Sequence, residues 1–214
     1  SHRFVSLTAA ELLGENIGNL KLISCHLGNG ASVAAIRYGK CIDTSMGLTP
    51  LAGLEMGTRC GDIDPAIIPF LCDKGYTVDQ VNTMMNKESG VLGVSGVSSD
   101  FRDVEAAAEA GNERAKLALD IFIYRVKTTI GAYVAAMDGV DGIIFIAGLG
   151  ENSSKDRAAV CSGLKYLGIQ LDEEKNSKRG EALVISTPDS RTKVMVIPTN
   201  EELMIARDTV ELVG

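Results

Sequence analysis

Residues 23–32 (ISCHLGNGAS) contain side chains and glycines that together can hold an anion. An apolar run ends at His26, and the chain then passes through Gly28 and Gly30 with Asn29 between them. Glycines let the backbone approach an anion closely, and His26 and Asn29 supply donors without adding fixed negative charge. The segment therefore predicts a phosphate-binding turn between two strands, with an ordinary Asn-Gly hairpin turn as the alternative.

A second glycine-rich segment, residues 148–152 (GLGEN), follows an uninterrupted apolar run. A strand that ends in glycines and becomes a helix presents backbone N–H groups at the positive end of the helix dipole. The segment lacks the third glycine of a dinucleotide fingerprint, and the chain contains no P-loop sequence, so a plain helix-entry loop is the alternative. The predicted nucleotide contacts are Gly148, Leu149, Gly150, Glu151 and Asn152.

Two further places offer charged side chains for phosphate chemistry. Arg59 lies in residues 56–65 (MGTRCGDIDP), which are suited to a loop that holds a cation over a phosphate. An always-charged planar guanidinium can counter the charge that spreads over a transferred phosphoryl group, whereas a solvated surface arginine is the alternative. Asp100 and Arg102 have the spacing of an ion pair at the start of a surface helix.

The adjacent acids Glu201 and Glu202 open the last predicted helix. Carboxylates are favoured there by the helix dipole, so a helix-start role is one interpretation. A magnesium site is the other, because Mg²⁺ needs only one or two protein carboxylates besides water and phosphate oxygens.

The elements that must position these residues alternate between strands and helices. Apolar runs predict two groups of strands, of which the first forms an antiparallel meander. The predicted strands are residues 20–27, 31–37, 41–44, 142–147, 183–186 and 193–197. Helical spacing and capping signals predict five helices besides the one that follows residues 148–152. These begin near Leu7, Pro65, Thr77, Glu113 and Glu201, and the one from Glu113 ends at Met137. Residues 90–99 are predicted to be a loop, and Ser153 or Ser154 to cap a helix after residues 148–152.

Composition excludes several classes of partner. The 214 residues are 45% hydrophobic and carry a net charge of −7, with no cluster of lysine and arginine. A nucleic-acid partner is therefore not expected, because phosphate backbones attract basic faces. No apolar run is long enough to span a membrane. The five cysteines form no CxxC pair, which favours a reducing compartment such as the cytoplasm.

Several motifs, taken in order, resemble the acetate kinase family over nearly the whole chain. They are residues 23–32, 43–50 (DTSMGLTP), 56–65, 148–152 and 197–203 (IPTNEEL). The resemblance implies an α/β fold of the actin-like ATPase (ribonuclease H-like) class, with a mixed sheet and flanking helices. It also implies reversible phosphoryl transfer from ATP to acetate, giving ADP and acetyl phosphate, with Mg²⁺ and a homodimer. Such a reaction suits these residues, since a carboxylate acceptor is already ionised at pH 7 and needs positioning more than deprotonation.

The resemblance also implies roles for particular residues. His26, Gly28, Asn29, Gly30 and residues 148–152 contact the nucleotide, and the family usually has Gly where this chain has Ala147. The adenosine contacts implied are Asp100, Phe101 and Arg102. The residues implied near the transferred group are Arg59 and His2, and Glu201 is favoured over Glu202 as the metal-linked acid.

Residues 1–4 (SHRF) resemble the tail of a family motif, Gly-Thr-Ser-His-(Lys/Arg)-Tyr. We therefore expect residues 1–214 to be a single C-terminal nucleotide-binding domain that lacks the N-terminal domain and is inactive by itself. Two other functions remain open at this point. One is a propionate or butyrate kinase, and the other is a non-catalytic dimerisation module that uses the helix of residues 113–137.

Overall fold

A computed structural model describes all 214 residues, Ser1–Gly214. The chain divides into two compact units. The first, here called the sheet unit, comprises Ser1–Leu27, Val33–Thr44 and Ile130–Gly214. The second, here called the helical unit, comprises Gly28–Ser32 and Ser45–Thr129. None of the helices has both the length and the apolar character that crossing a membrane requires.

The sheet has six strands in the order β3-β2-β1-β4-β6-β5. Their bounds are β1 Lys21–His26, β2 Ser32–Arg37, β3 Lys40–Thr44, β4 Gly142–Ile146, β5 Leu183–Val184 and β6 Lys193–Val196. Strand β4 runs parallel to both β1 and β6, whereas the β2/β3 and β5/β6 pairs are antiparallel. The predicted mixed sheet is therefore confirmed.

The central strand β4 is apolar without alternation because it is covered on both faces. Its four residues 143–146 are completely buried, as expected for a strand with parallel neighbours on each side. One cluster of core residues joins this sheet to helix α1, His2–Leu13, through Val5 and Ala9 against Leu22 and Ile144. Helix α1 begins five positions before the predicted Leu7 and is capped at its C-terminus by Gly14, whose φ of 67° lies in the left-handed region.

The remaining helices of the sheet unit flank the strands. They are α7 Ala147–Asn152, α8 Ser154–Ser162, α9 Glu173–Ser177 and α10 Glu201–Val213. Ser153 caps α8 by accepting a hydrogen bond from the Asp156 N–H group at 3.2 Å, which confirms the first of the two predicted caps. Asn200 caps α10 in the same way, through the N–H group of Leu203 at 3.0 Å.

The helical unit contains α2 Ile67–Asp73, α3 Val78–Lys87, α4 Gly90–Ser95, α5 Phe101–Glu109 and the first part of α6 Glu113–Met137. Thr77 and Gln80 form the predicted capping box of α3, with hydrogen bonds of 2.8 and 3.2 Å. The bounds of α6 are those predicted. The prediction of a loop over residues 90–99 is wrong for residues 90–95, because Val91 is fully buried and its N–H group bonds to Met56 O at 2.8 Å.

Candidate functional site

In the helical unit the predicted phosphate turn packs against the segment that carries Arg59. The Gly57 N–H group donates to Asn29 O at 2.9 Å. A Cβ atom on Gly57 would lie 1.5 Å from Asn29 Oδ1, so only glycine allows this approach. A Cβ atom on Gly30 would lie 3.5 Å from Arg59 Nη2. The structure therefore brings Asn29, Gly30 and Arg59 together, as the hypothesis of a phosphate cradle requires.

Arg59 is half-buried and is held by neutral atoms. Its Nη1 donates to Pro50 O at 2.8 Å and lies 3.3 Å from Met56 Sδ. The backbone around it is closed by a hydrogen bond from the Met56 N–H group to Arg59 O at 3.1 Å. These contacts fix one side of the guanidinium and leave its full positive charge uncompensated by a bonded carboxylate.

Asp100, Phe101 and Arg102 form the start of α5. Arg102 donates to both carboxylate oxygens of Asp100, at 3.1 Å from Nε and 2.6 Å from Nη2, and Asp100 also accepts the Arg102 N–H group. These bonds lower the pKa of Asp100 to about 2. Phe101 is buried and packs edge-to-face on Phe122 with 4.8 Å between ring centroids. The ion pair at a helix start is therefore observed, and the adenosine contacts stay a prediction.

In the sheet unit the two histidines of the chain lie close together. Nδ1 of His2, on α1, is 3.0 Å from Ser24 Oγ on β1. Its ring centroid is 6.3 Å from that of His26, which ends the same strand. Burial, with His26 as a smaller cause, lowers the pKa of His2 to about 4. His2 is therefore neutral at pH 7 and can act as a hydrogen-bonding group without charge.

Residues 147–152 form the short helix α7, and two of its backbone N–H groups bond within the protein. Helix α7 begins at Ala147, whose φ of 65° is left-handed despite its side chain. The Leu149 and Gly150 N–H groups donate to Leu27 O at 2.8 and 3.2 Å. These two donors, which we expected to face an anion, are thus used within the protein because the end of β1 lies beside them.

Glu151 links the ends of two parallel strands. Its Oε1 accepts hydrogen bonds from the Ala147 N–H group at 2.8 Å, just after β4, and from the Thr199 N–H group at 3.4 Å, after β6. Asn152 Nδ2 donates to Gly148 O at 2.8 Å and closes the same turn. Nucleotide contacts by residues 148–152 stay a prediction.

Glu201 is exposed at the start of α10, next to the amino end of the chain. Its carboxylate accepts a hydrogen bond from Ser1 Oγ. This contact lowers the pKa of Glu201. The side chain is therefore ionised at neutral pH. No group of three or more His, Cys, Asp or Glu side chains in residues 1–214 could hold a metal ion by itself.

The sequence profile of the acetokinase family matches residues 1–207. The chain belongs to the acetokinase family. Its relatives include the acetate kinase of Clostridium kluyveri, 65% identical over 215 residues, and that of Clostridium novyi, also 65% identical over 214 residues. These alignments cover 100% of this chain but 53% of each relative. The chain thus spans about half the length of the curated relatives it matches.

Solved acetokinase-family structures share the fold. The crystal structure of Porphyromonas gingivalis acetate kinase is 49% identical and superposes with a TM-score of 0.96, covering 100% of this chain and 54% of that one. A propionate kinase from Francisella tularensis is 44% identical with a TM-score of 0.88, covering 97% and 53% of the two chains. The predicted α/β fold, a mixed sheet with flanking helices, is confirmed and is shared with these kinases.

The sequence did not indicate the environment of three polar residues, Ser24, Arg157 and Glu55. Ser24 contacts His2 but lies inside an apolar strand, where no local pattern identifies its partner. Arg157 and Glu55 are buried, with 1% and 5% of their surface exposed. Their burial results from packing against residues that are distant in the sequence, so no local sequence pattern indicates it.

Proposed function

We propose that this chain is the nucleotide-binding part of an acetate kinase, which transfers a phosphoryl group reversibly between ATP and acetate. The observation that carries the proposal is the cluster of Asn29, Gly30 and Arg59, with Arg59 Nη2 beside Gly30. The names and the identity of the relatives support the acyl substrate. Because the chain spans about half of those relatives, turnover is proposed to need the N-terminal domain that lies outside the matched segment.

The proposed chemistry relies on positioning and charge. Acetate is already ionised at pH 7, so its attacking oxygen needs only to be oriented in line with the phosphoryl group. Arg59 would counter charge on the equatorial oxygens of that group, and His2 and His26 would act near it as hydrogen-bonding side chains. The neutral state of His2 suits such a role, since a neutral imidazole can donate or accept without attracting a counter-ion.

We propose Glu201 as the residue linked to the magnesium ion that accompanies the nucleotide. Mg²⁺ supplies charge neutralisation on the phosphates when it is bound. An exposed, ionised carboxylate at a helix start fits this ion, which takes most of its ligands from water and phosphate. Asp100 and Arg102 are proposed to contact the adenosine. Residues 148–152 are proposed separately as nucleotide contacts of the sheet unit.

We also propose a homodimer located in the cytoplasm. Leu117 and Tyr124 of α6 leave 51% and 64% of their surfaces exposed, which favours a partner surface on this helix. All five cysteines are free thiols, as expected in a reducing compartment.

The decisive experiment is a calorimetric titration of this 214-residue chain with Mg·ADP and Mg·ATP, accompanied by a hydroxamate assay for acetyl phosphate. We expect saturable nucleotide binding and no acetyl phosphate. Absence of nucleotide binding would overturn the proposal. Appreciable acetyl phosphate formed by this chain alone would overturn its dependence on a further domain.

Two other functions are distinguished by experiment. A propionate or butyrate kinase is the second candidate, because the chain is also 44% identical to the propionate kinase of Francisella tularensis. Comparing acetate, propionate and butyrate as substrates of the intact protein distinguishes these enzymes. A dimerisation module without catalysis would show a dimer in analytical ultracentrifugation and no heat of nucleotide binding.

A further inference from the structure

We infer that Arg157 is a positioning residue that holds residues 147–152 in the shape needed for nucleotide binding. The inference rests on the proposed function, because that function assigns the nucleotide to this segment. Arg157 lies on α8, five positions beyond Asn152, and is 1% exposed. Nothing in the proposed chemistry uses it directly.

The guanidinium of Arg157 joins two helices. Nη1 donates to Gly150 O and to Glu151 O, both at 2.9 Å. Nε donates to Asn176 Oδ1 at 2.8 Å, and Nη2 donates to Asn176 O. Gly150 and Glu151 are in the last turn of α7, where carbonyl groups have no partner within the helix. Arg157 thus satisfies the open end of α7 and ties it to α9.

Asn176 contributes both its side-chain amide and its backbone carbonyl group to these contacts. It is 7% exposed, and its Nδ2 donates to Ser154 O at 3.0 Å while its two oxygen atoms accept from Arg157. The amide therefore connects α9 to the start of α8 as well as to the guanidinium. A planar fork with several donors can serve both carbonyl groups of α7 and both oxygens of Asn176, which a lysine ammonium cannot do.

The charge of Arg157 makes a purely stabilising role a poor explanation. All four acceptors are neutral, and burial lowers the pKa of the guanidinium. A buried cation without a bonded carboxylate is costly compared with an apolar side chain of similar size. Its benefit must therefore come from the geometry that it imposes on its partners.

Arg157 and Glu151 together hold the backbone conformation of residues 147–151. At one end, Glu151 Oε1 accepts the Ala147 and Thr199 N–H groups, and at the other end Arg157 holds Gly150 O and Glu151 O. Ala147 is kept at a φ of 65°, which a residue with a side chain adopts only when its surroundings enforce it. A binding segment held in advance loses less conformational entropy when its ligand arrives.

The test compares Arg157→Lys with the unsubstituted chain by amide hydrogen exchange and by Mg·ADP titration. Lysine keeps the charge but loses the fork, so exchange at residues 147–152 is expected to rise about tenfold. The dissociation constant for Mg·ADP is expected to rise by a similar factor. Exchange in β1 and β4 should stay unchanged, which separates local loosening from loss of global stability.

Arg191→Lys is the matched control. Arg191 also bonds to backbone carbonyl groups in the sheet unit, with Nε 3.1 Å from Leu167 O and Nη2 2.7 Å from Tyr166 O. Its substitution should loosen residues 165–168 and leave both the exchange of residues 147–152 and the affinity for Mg·ADP unchanged. Equal effects of the two substitutions on that affinity would overturn the inference.

Arg157→Met provides a second variant if the lysine variant fails to fold, because an apolar side chain of similar length removes the cost of burying the charge. Faster exchange confined to residues 147–152 supports the inference, whereas unchanged exchange there, or an equal rise in every segment, overturns it. If the unsubstituted chain binds no Mg·ADP, the proposed function fails. The exchange measurement, which needs no nucleotide, still decides whether Arg157 holds this segment.

Discussion

Arg59 lies beside the predicted phosphate turn and is held by neutral atoms, so no bonded carboxylate compensates its positive charge. A carbonyl oxygen of Pro50 and the sulfur of Met56 contact Nη1, and both are neutral. An ion pair at this position would compete with an incoming phosphate, since a bonded carboxylate reduces the field that the ligand experiences. The arrangement therefore suits a transferred phosphoryl group.

We predict that Arg59→Ala in the full-length protein lowers kcat by ~10³-fold while the dissociation constant for ADP changes little, because the guanidinium acts mainly on the transition state. Steady-state kinetics and calorimetry measure the two quantities. Arg114→Ala is the control, since the guanidinium of Arg114, in the same unit, donates to Val94 O and Gly93 O. An equal loss of nucleotide affinity would contradict the role of Arg59.

Glu55 is a buried carboxyl group with 5% of its surface exposed and no hydrogen-bond partner for Oε2. Burial raises its pKa to about 7, against a smaller opposing effect of Arg125. A carboxyl group whose pKa is raised by folding binds more protons in the folded state than in the unfolded state. Its contribution to stability is therefore full at low pH and is lost as the pH rises towards 7.

We accordingly predict that Glu55→Gln removes part of the decrease in unfolding free energy between pH 5 and pH 8. Between pH 5 and pH 8, the unfolding free energy of the Glu55→Gln variant should fall by about 2 kcal/mol less than that of the unsubstituted chain. At pH 8 the unsubstituted chain must keep an ionised Glu55 in a buried position. Urea unfolding at each pH measures it. Glu88→Gln, at an exposed position of the same unit, should leave the pH dependence unchanged, and an identical slope in both variants would refute the prediction.

At the scale of elements, α4 is the segment whose structure depends most on its neighbours. The helix has six residues and begins at Gly90, whose φ is 62°. A Cβ atom on Gly90 would lie 2.2 Å from Met56 O, the atom that accepts the Val91 N–H group. The helix therefore forms where the backbone can approach the segment that precedes Arg59, and only glycine permits that approach.

Gly90→Ala is expected to destabilise the protein by about 3 kcal/mol or more, because it combines an unfavourable φ with a clash against backbone. Gly96, at the other end of α4, has a φ of 69°, but a Cβ atom there would meet only Arg114 at 3.6 Å. Gly96→Ala should therefore cost about 1 kcal/mol, from the backbone conformation alone. Equal losses in thermal or urea unfolding would show that the close approach to Met56 is unimportant.

At the scale of the whole molecule, the net charge of the protein limits how the proposed nucleotide can bind. A protein with a net charge of −7 repels a free nucleotide polyphosphate over its surface as a whole. Binding therefore has to rely on local donors and on a cation that accompanies the phosphates. We propose Arg59 as such a donor and Glu201 as the residue linked to the cation.

We predict that removing magnesium with EDTA weakens ADP binding about tenfold, since the ion neutralises phosphate charge. Glu201→Gln should reduce the magnesium dependence, whereas Glu202→Gln should not. Titration calorimetry of both variants, with and without the ion, measures the effect. An unchanged affinity in EDTA would contradict a metal-linked site, and a larger effect of Glu202→Gln would move the site to its neighbour.

The parts of the fold that could be predicted from the sequence are those set by local physics. The bounds of α6 follow from a helical apolar period sustained over 25 residues, and the start of α3 follows from the Thr77 capping box. Strand β4 follows from a continuous run of apolar residues. The glycine motifs also identified the family, because they occur in order along the chain.

The partners of buried polar side chains were decided only by the tertiary structure. Arg157 lies 19 positions from Asn176 in the sequence, and Glu55 lies 70 positions from Arg125, so no local spacing relates them. The same holds for the N–H groups of Leu149 and Gly150, which bond to Leu27 O because β1 and β4 are neighbours in the sheet. Capping and periodicity act within a few residues, whereas burial and the choice of hydrogen-bond partner arise when distant segments pack against each other.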